Sequence, residues 1–333
     1  MKFKKIGLSI LLFMAIGEIM VRFDETFKLL EDNKVVKVAT DLNITPEFNL
    51  LKKNGIDTAG NNLRIMILGD SYIHGAGIEF KDNFTQQLKA MLKESNTKFN
   101  SIYALDLSKP SSNSFDNEEA YLQFADKFKP NIVILGYNYN DIDGNLDKPK
   151  MQNSIDSFTK VDLTSKDNQS QSFAKKIYDV IYQSRFVHLL MTNLNSELKT
   201  YGIVFPGSEF AVKMNAYPEN SPSWIKSKAI LKEFIDTTKA RNTQLVVLKF
   251  PEINLIEYPG LFTKADEQIK GFFTSFPSVR YVDGADFFKG ERSKEYILSK
   301  YDGHPNEKAH KKLANGIFLL IKNDLEKGSF EKN

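Results

Sequence analysis

The chain has 333 residues, 41% hydrophobic and 26% charged, values ordinary for a globular protein with a sizeable core. A net charge of +3, with lysines scattered and no basic stripe interleaved with aromatics, excludes a nucleic-acid surface. The absence of cysteine excludes disulfides, thiolate metal sites, a cysteine nucleophile and a lipoprotein anchor.

Met1 to Lys5 carries three lysines, and Ile6 to Val21 is almost wholly apolar, interrupted by Gly17 and Glu18. A basic start before an apolar segment is an export signal or a membrane anchor. The run is short of the roughly 20 residues that span a bilayer, but Arg22 and the lysines can snorkel outward. Ala15-Ile16-Gly17 has the small-x-small form of a cleavage site, yet the apolar run resumes at Ile19-Met20-Val21. Residues 1–23 are therefore read as an uncleaved signal anchor, a transmembrane helix with its amino terminus in the cytoplasm. The rest of the chain is then placed outside, on the periplasmic side or cell surface. Residues 24–62 are polar and mixed, a connector closed by the turn residues Gly60-Asn61-Asn62.

From Leu63 onward strand and helix patterns alternate. Continuous apolar runs predict strands at Leu63–Leu68, Asn100–Leu105, Asn131–Leu135, Gln244–Phe250 and Val279–Val282. Amphipathic spacing predicts helices near Phe84–Glu94, Glu118–Lys127, Trp224–Arg241, Ala265–Ser275 and Asn306–Leu325. This order implies an α/β domain over 63–328, with a doubly wound, parallel, five-stranded sheet covered on both faces. Residues 143–223 interrupt the alternation and are read as a helical insertion contacting substrate, or as a lid. Within it, Tyr178, Ile181, Tyr182, Phe186, Leu189 and Leu190 form an apolar stripe that packs its helix on the core.

Chemistry concentrates in three stretches. The first, LRIMILGDSYIHGAGIEFKDNFTQQL, delivers Ser71 at the carboxyl end of a buried strand. The second, KYDGHPNEKAH, places Asp302 and His304 in a loop that runs through Pro305-Asn306 into the last helix. Neutral His304 there can take a serine proton while Asp302 orients the imidazole. The third, NIVILGYNYNDIDGN, opens at Gly136 a loop holding Asn138, Asn140 and Asp141, and an asparagine amide at a strand end can donate to an oxyanion. Of the other histidines, His74 lines the rim or packs locally, His188 sits in the insertion, and His310 is structural or solvated. Four dispersed histidines do not suggest a metal site. Trp224 is read as packing.

Gly69-Asp70-Ser71 with Gly75, the Asn-Asp loop after the third strand and the late Asp-x-His-Pro-Asn together resemble the SGNH (GDSL) hydrolase superfamily. The run Gly-Asp-Ser-Tyr-Ile-His-Gly-Ala-Gly-Ile is similar to the first block of its bacterial membrane-anchored members. The resemblance covers roughly residues 63–142 and 224–325. It implies a flavodoxin-like fold, Ser71 as nucleophile, His304 as base, Asp302 as orienting acid and the Ser71 N–H as one oxyanion donor. The asparagine donor maps to Asn140 by its Asn-Asp pair or to Asn138 by spacing from Gly136; Asn140 is preferred. Two positions depart from the pattern. The usual Asp-x-x-His is shortened to Asp302-Gly303-His304. The glycine of the second block is missing from LDLSKPSSNS, where Ser111 stands nearest and can donate its backbone N–H if the local dihedrals do not demand glycine.

The expected activity is cleavage of an acyl ester, of an envelope glycan or lipid, with no metal or organic cofactor. The alternatives are an O-acyltransferase using the same residues, or a non-catalytic envelope binding or assembly module. The only partners implied are the ester substrate and the membrane.

Overall fold

The computed structural model describes residues 12–20, 46–53, 56–58, 60–95, 98–142, 214, 216–299 and 302–326. Two units divide the chain, one made of 1–41 with 148–198 and the other of 42–147 with 199–333. In the first, the described residues are helix α1 (12–20), on which Leu12, Phe13, Ile16, Ile19 and Met20 are exposed. Among the described residues no helix is long and apolar enough to cross a membrane, so the transmembrane helix expected over 1–23 is not shown. The apolar stripe from Tyr178 to Leu190, and His188 with it, lie outside the described residues.

The second unit carries the sheet. Its strands are β1 (Asn62–Gly69), β2 (Ser101–Asp106), β3 (Ile132–Tyr137), β4 (Gln244–Lys249) and β5 (Val279–Asp283), all within two residues of the predicted bounds. They run parallel in the order β2-β1-β3-β4-β5. The helices are α2 (Pro46–Lys52), α3 (Ser71–His74), α4 (Phe84–Glu94), α5 (Ser114–Phe128), α6 (Pro222–Ala240), α7 (Thr263–Thr274) and α8 (Glu307–Glu326).

Each central strand is apolar on both sides because both sides are covered. Along β1, Met66 and Leu68 join Phe128, Leu231 and Phe273 in the core under α5, α6 and α7. Leu63, Ile65 and Ile67 point the other way, to Leu88, Leu313 and Ile317 of α4 and α8. Residues 65–68 have no exposed surface, and burying each such side chain contributes about 1.5–3 kcal/mol. The chain moves outward from β1 to β2 and then returns to β3 on the other side. The switch point therefore falls between the carboxyl ends of β1 and β3, where open α/β sheets bind ligands. Gly69 and Gly136 face each other there in register. Gly69 has φ +140°, and a Cβ on it would come within 2.6 Å of the Gly136 carbonyl oxygen, so no other residue fits.

The structure differs from expectation at several elements, helix α2 within the expected connector among them. The stretch after Gly69 first forms the one-turn helix α3, closed by left-handed Gly75, before a 3₁₀ turn leads into α4. Helix α5 starts four residues earlier than the pattern predicts, because Asn113 and Asp116 make a reciprocal capping box. Asp302–Pro305, expected as a loop, is a short strand β7 paired antiparallel with β6 (Ile297–Ser299). The last helix begins at Glu307, with Asn306 Oδ1 accepting from the backbone N–H groups of Lys308 and Ala309.

Candidate active site

Ser71 is the first residue of α3, directly after the end of β1. Asp70 caps that turn: its Oδ1 accepts from the Tyr72 N–H at 2.9 Å, and its Oδ2 accepts from Asn140 Nδ2 at 2.8 Å. Burial pushes the Asp70 carboxyl above the ordinary range, opposed by these two hydrogen bonds.

His304 arrives from β7, 233 residues along the chain, and its Nε2 lies 2.9 Å from Ser71 Oγ. Its Nδ1 lies 2.6 Å from Asp302 Oδ1, which also accepts from the His304 backbone N–H at 3.0 Å. A carboxylate accepts only, so Nδ1 carries the proton and the Nε2 lone pair receives the serine hydroxyl. The side chains of His304 and Asp302 are 33% and 49% exposed, so the site opens to solvent.

The turn after β3 is a 3₁₀ helix, Tyr139–Ile142, anchored from several sides. Tyr139 donates to Asp266 Oδ1 at 2.5 Å, and Tyr217 donates to the Tyr139 carbonyl at 2.9 Å. Ser114 donates to the Asp141 carbonyl at 3.0 Å. Lys249, buried at the end of β4, holds Asp266 at 2.5 Å and Asp283 at 3.5 Å, with its Nζ 4.8 Å from the centre of the Tyr139 ring. Of the two candidate asparagines, Asn140 is the one tied to the serine's neighbour. Asn138 is buried beneath the turn, its backbone N–H donating to Asp141 Oδ2 at 2.8 Å.

In the loop after β2, Ser111 has φ +65°. Lys109-Pro110-Ser111-Ser112 closes a turn through the Ser112 N–H and Lys109 carbonyl at 3.1 Å. Proline second and a positive φ third is the signature of a type II turn, whose third position favours glycine. The missing second-block glycine is thus a position where the backbone does take glycine's conformation. The Lys109 N–H donates to the Gly69 carbonyl at 3.0 Å, fastening this loop beside the end of β1.

Sequence reasoning missed the wall formed by the loop after β4. Glu252 accepts from the Tyr72 hydroxyl at 3.0 Å, and the Tyr72 ring lies 5.1 Å from the His304 ring. Burial first, and then Glu252, raise the Tyr72 phenol well above its ordinary value. Asn254 packs against Gly303, where a Cβ would come within 2.8 Å of its Nδ2. The run Pro251-Glu252-Ile253-Asn254 carries no motif; its place just past a strand's carboxyl end was the available signal.

The His74 ring is engaged by the loop after β2, donating from Nδ1 to the Ser108 carbonyl at 3.0 Å. His310 is fully buried and accepts from the Phe84 N–H at 3.0 Å. Trp224 is fully buried in the core and donates to Gln268 at 3.3 Å.

A doubly wound sheet with a hydrogen-bonded Ser-His-Asp set at its switch point has the arrangement of a serine hydrolase. No protein-family model matches the chain, and no curated protein does. Several solved structures are similar to it. A family 3 carbohydrate esterase of Clostridium thermocellum shares 15% identity at a TM-score of 0.45, over 80% of this chain and 98% of that one. An acetylxylan esterase of Geobacillus stearothermophilus, solved as a catalytic mutant, shares 11% at 0.44, over 80% and 95%. A psychrotrophic esterase of a Pseudoalteromonas species shares 12% at 0.43, over 80% and 99%.

Proposed function

We propose that this chain is a serine ester hydrolase of the SGNH type. The observation that carries the reading is the continuous relay from Ser71 Oγ to His304 Nε2 at 2.9 Å and from His304 Nδ1 to Asp302 at 2.6 Å. Ser71 Oγ attacks the ester carbonyl carbon while its proton passes to His304 Nε2. Negative charge gathers on the carbonyl oxygen, which the backbone N–H groups of Ser71 and Ser111 and the amide of Asn140 are proposed to receive. The tetrahedral intermediate collapses, His304 returns its proton to the departing alkoxide, and the acyl group stays on Ser71. Water, deprotonated by His304, then releases the acid and restores the serine. Asp302 accepts from Nδ1 throughout and stabilises the imidazolium.

The location outside the cytoplasmic membrane is proposed from the lysines before the apolar segment and from the exposed apolar residues of α1. Acylated envelope glycans or lipids are the substrates that this location offers. The chemistry is tested on p-nitrophenyl acetate with Ser71→Ala alongside. The variant is expected to lose about 10³-fold or more in kcat/KM; equal rates would remove Ser71 from the mechanism. Location is tested by fractionation of the full-length chain. It should stay with membranes through alkaline washing, while Leu12→Lys with Ile16→Lys should release it. Full-length protein in the soluble fraction would contradict the anchor.

A further inference from the structure

The left-handed backbone at Ser111 needs a cause. Left-handed backbone costs a non-glycine residue about 1–2 kcal/mol, and such a residue persists where its surroundings over-determine it. Two sets of contacts fix the start of its loop. On one side, Asp106 at the end of β2 accepts from the Ser108 backbone N–H at 3.0 Å, from the Ser108 hydroxyl and from Thr85 Oγ1 at 2.6 Å. On the other, His74, the last residue of the turn that begins with Ser71, donates from Nδ1 to the Ser108 carbonyl at 3.0 Å. Its Nδ1 also lies 3.3 Å from Ser108 Oγ. A carbonyl oxygen only accepts, so the His74 proton sits on Nδ1. Three residues on, φ +65° appears at the turn position that ordinarily carries glycine.

We propose that His74 and Asp106 form a clasp that holds Ser111 in glycine's conformation, so that its N–H faces the oxyanion without a glycine. His74 is then a positioning residue, joining the helix of the nucleophile to the loop of the second donor. Asp106 closes the same loop onto β2 and, through Thr85, onto α4. The proposal rests on the hydrolase reading and adds the device by which this chain dispenses with the second-block glycine.

The test is a cycle of four proteins: wild type, His74→Ala, Ser111→Gly and the double variant, each measured on p-nitrophenyl acetate beside Ser71→Ala. Without the clasp, serine relaxes to negative φ and turns its N–H away, whereas glycine holds positive φ without steric cost. His74→Ala is therefore expected to lower kcat by about 5–30-fold in the serine background, with KM little changed. In the glycine background the loss should be under about 3-fold. His74→Asn, whose amide nitrogen can reach the same carbonyl, should recover most of the rate. An equal loss in both backgrounds, or a loss in KM alone, overturns the clasp. Activity that survives Ser71→Ala overturns the hydrolase reading instead. The backbone supplies a readout independent of activity: in a crystal structure of His74→Ala, Ser111 should move to negative φ. Retention of positive φ there overturns the clasp whatever the rates.

Discussion

Asp70 joins the two halves of the site, receiving Tyr72's N–H on one oxygen and Asn140's amide on the other. Replacing it by asparagine sets one NH₂ group against another at the Asn140 contact, because Oδ1 is still needed to cap the turn. Asp70→Asn is expected to lower kcat on p-nitrophenyl acetate by about 10-fold or more, since misplacing one oxyanion donor costs at least that. A wild-type kcat would mean that Asn140 is not the donor. Ser71, Asp302 and His304 were legible because each stands in a short run of distinctive chemistry, Gly-Asp-Ser and Asp-Gly-His-Pro, although 233 positions separate the serine from the histidine. Tyr72 and Glu252 were not, because neither type is unusual where it stands.

At the scale of elements, α4 and α8 are tied by a bond that neither helix announces. His310 of α8 accepts from the Phe84 N–H, one of the donors that the first turn of α4 cannot satisfy internally. Burial lowers the His310 imidazole to about 3, with repulsion from His74 and His304 adding to it. The unfolded chain binds this proton near 6.5 and the folded chain only near 3, so between those values the unfolded state holds more protons. The contribution from this group is then complete above about pH 6.5 and is lost as pH drops toward 3, by on the order of 1 kcal/mol per unit. Urea unfolding at pH 7 and pH 5 should show a smaller difference in His310→Gln than in wild type. Equal differences would rule out His310 as the source. The same scale explains the misjudged elements. Strand β7 is made by its pairing with β6 and not by the propensity of Asp-Gly-His-Pro, which favours a loop. Helix α4, set by its own periodicity, matched its predicted span residue for residue.

Across the whole second unit, the sheet order lets distant loops meet at one edge, and a buried lysine secures the far side of that edge. Lys249 sits opposite Asp283 in register and reaches Asp266 of α7, which in turn receives the Tyr139 hydroxyl of the Asn140 turn. Lys249→Met removes the cation between two carboxylates that are about a quarter exposed and so still partly hydrated. The expected loss is about 1–3 kcal/mol, below the figure for a fully buried pair. It should be read by denaturant unfolding together with a fall in kcat as the turn loosens. Unchanged stability would show that the lysine is merely accommodated.

By itself the sequence determined the strand-helix alternation, the doubly wound class and the three residues of the relay. These are set by local periodicity, by buried apolar runs and by side-chain chemistry that few residue types can supply. Only the tertiary structure decided that Asn140 rather than Asn138 reaches Asp70, that Ser111 takes glycine's backbone, and that His74 grips the loop before it. Each of those facts depends on where one loop stops against another, which strand order and close packing fix and no single stretch encodes.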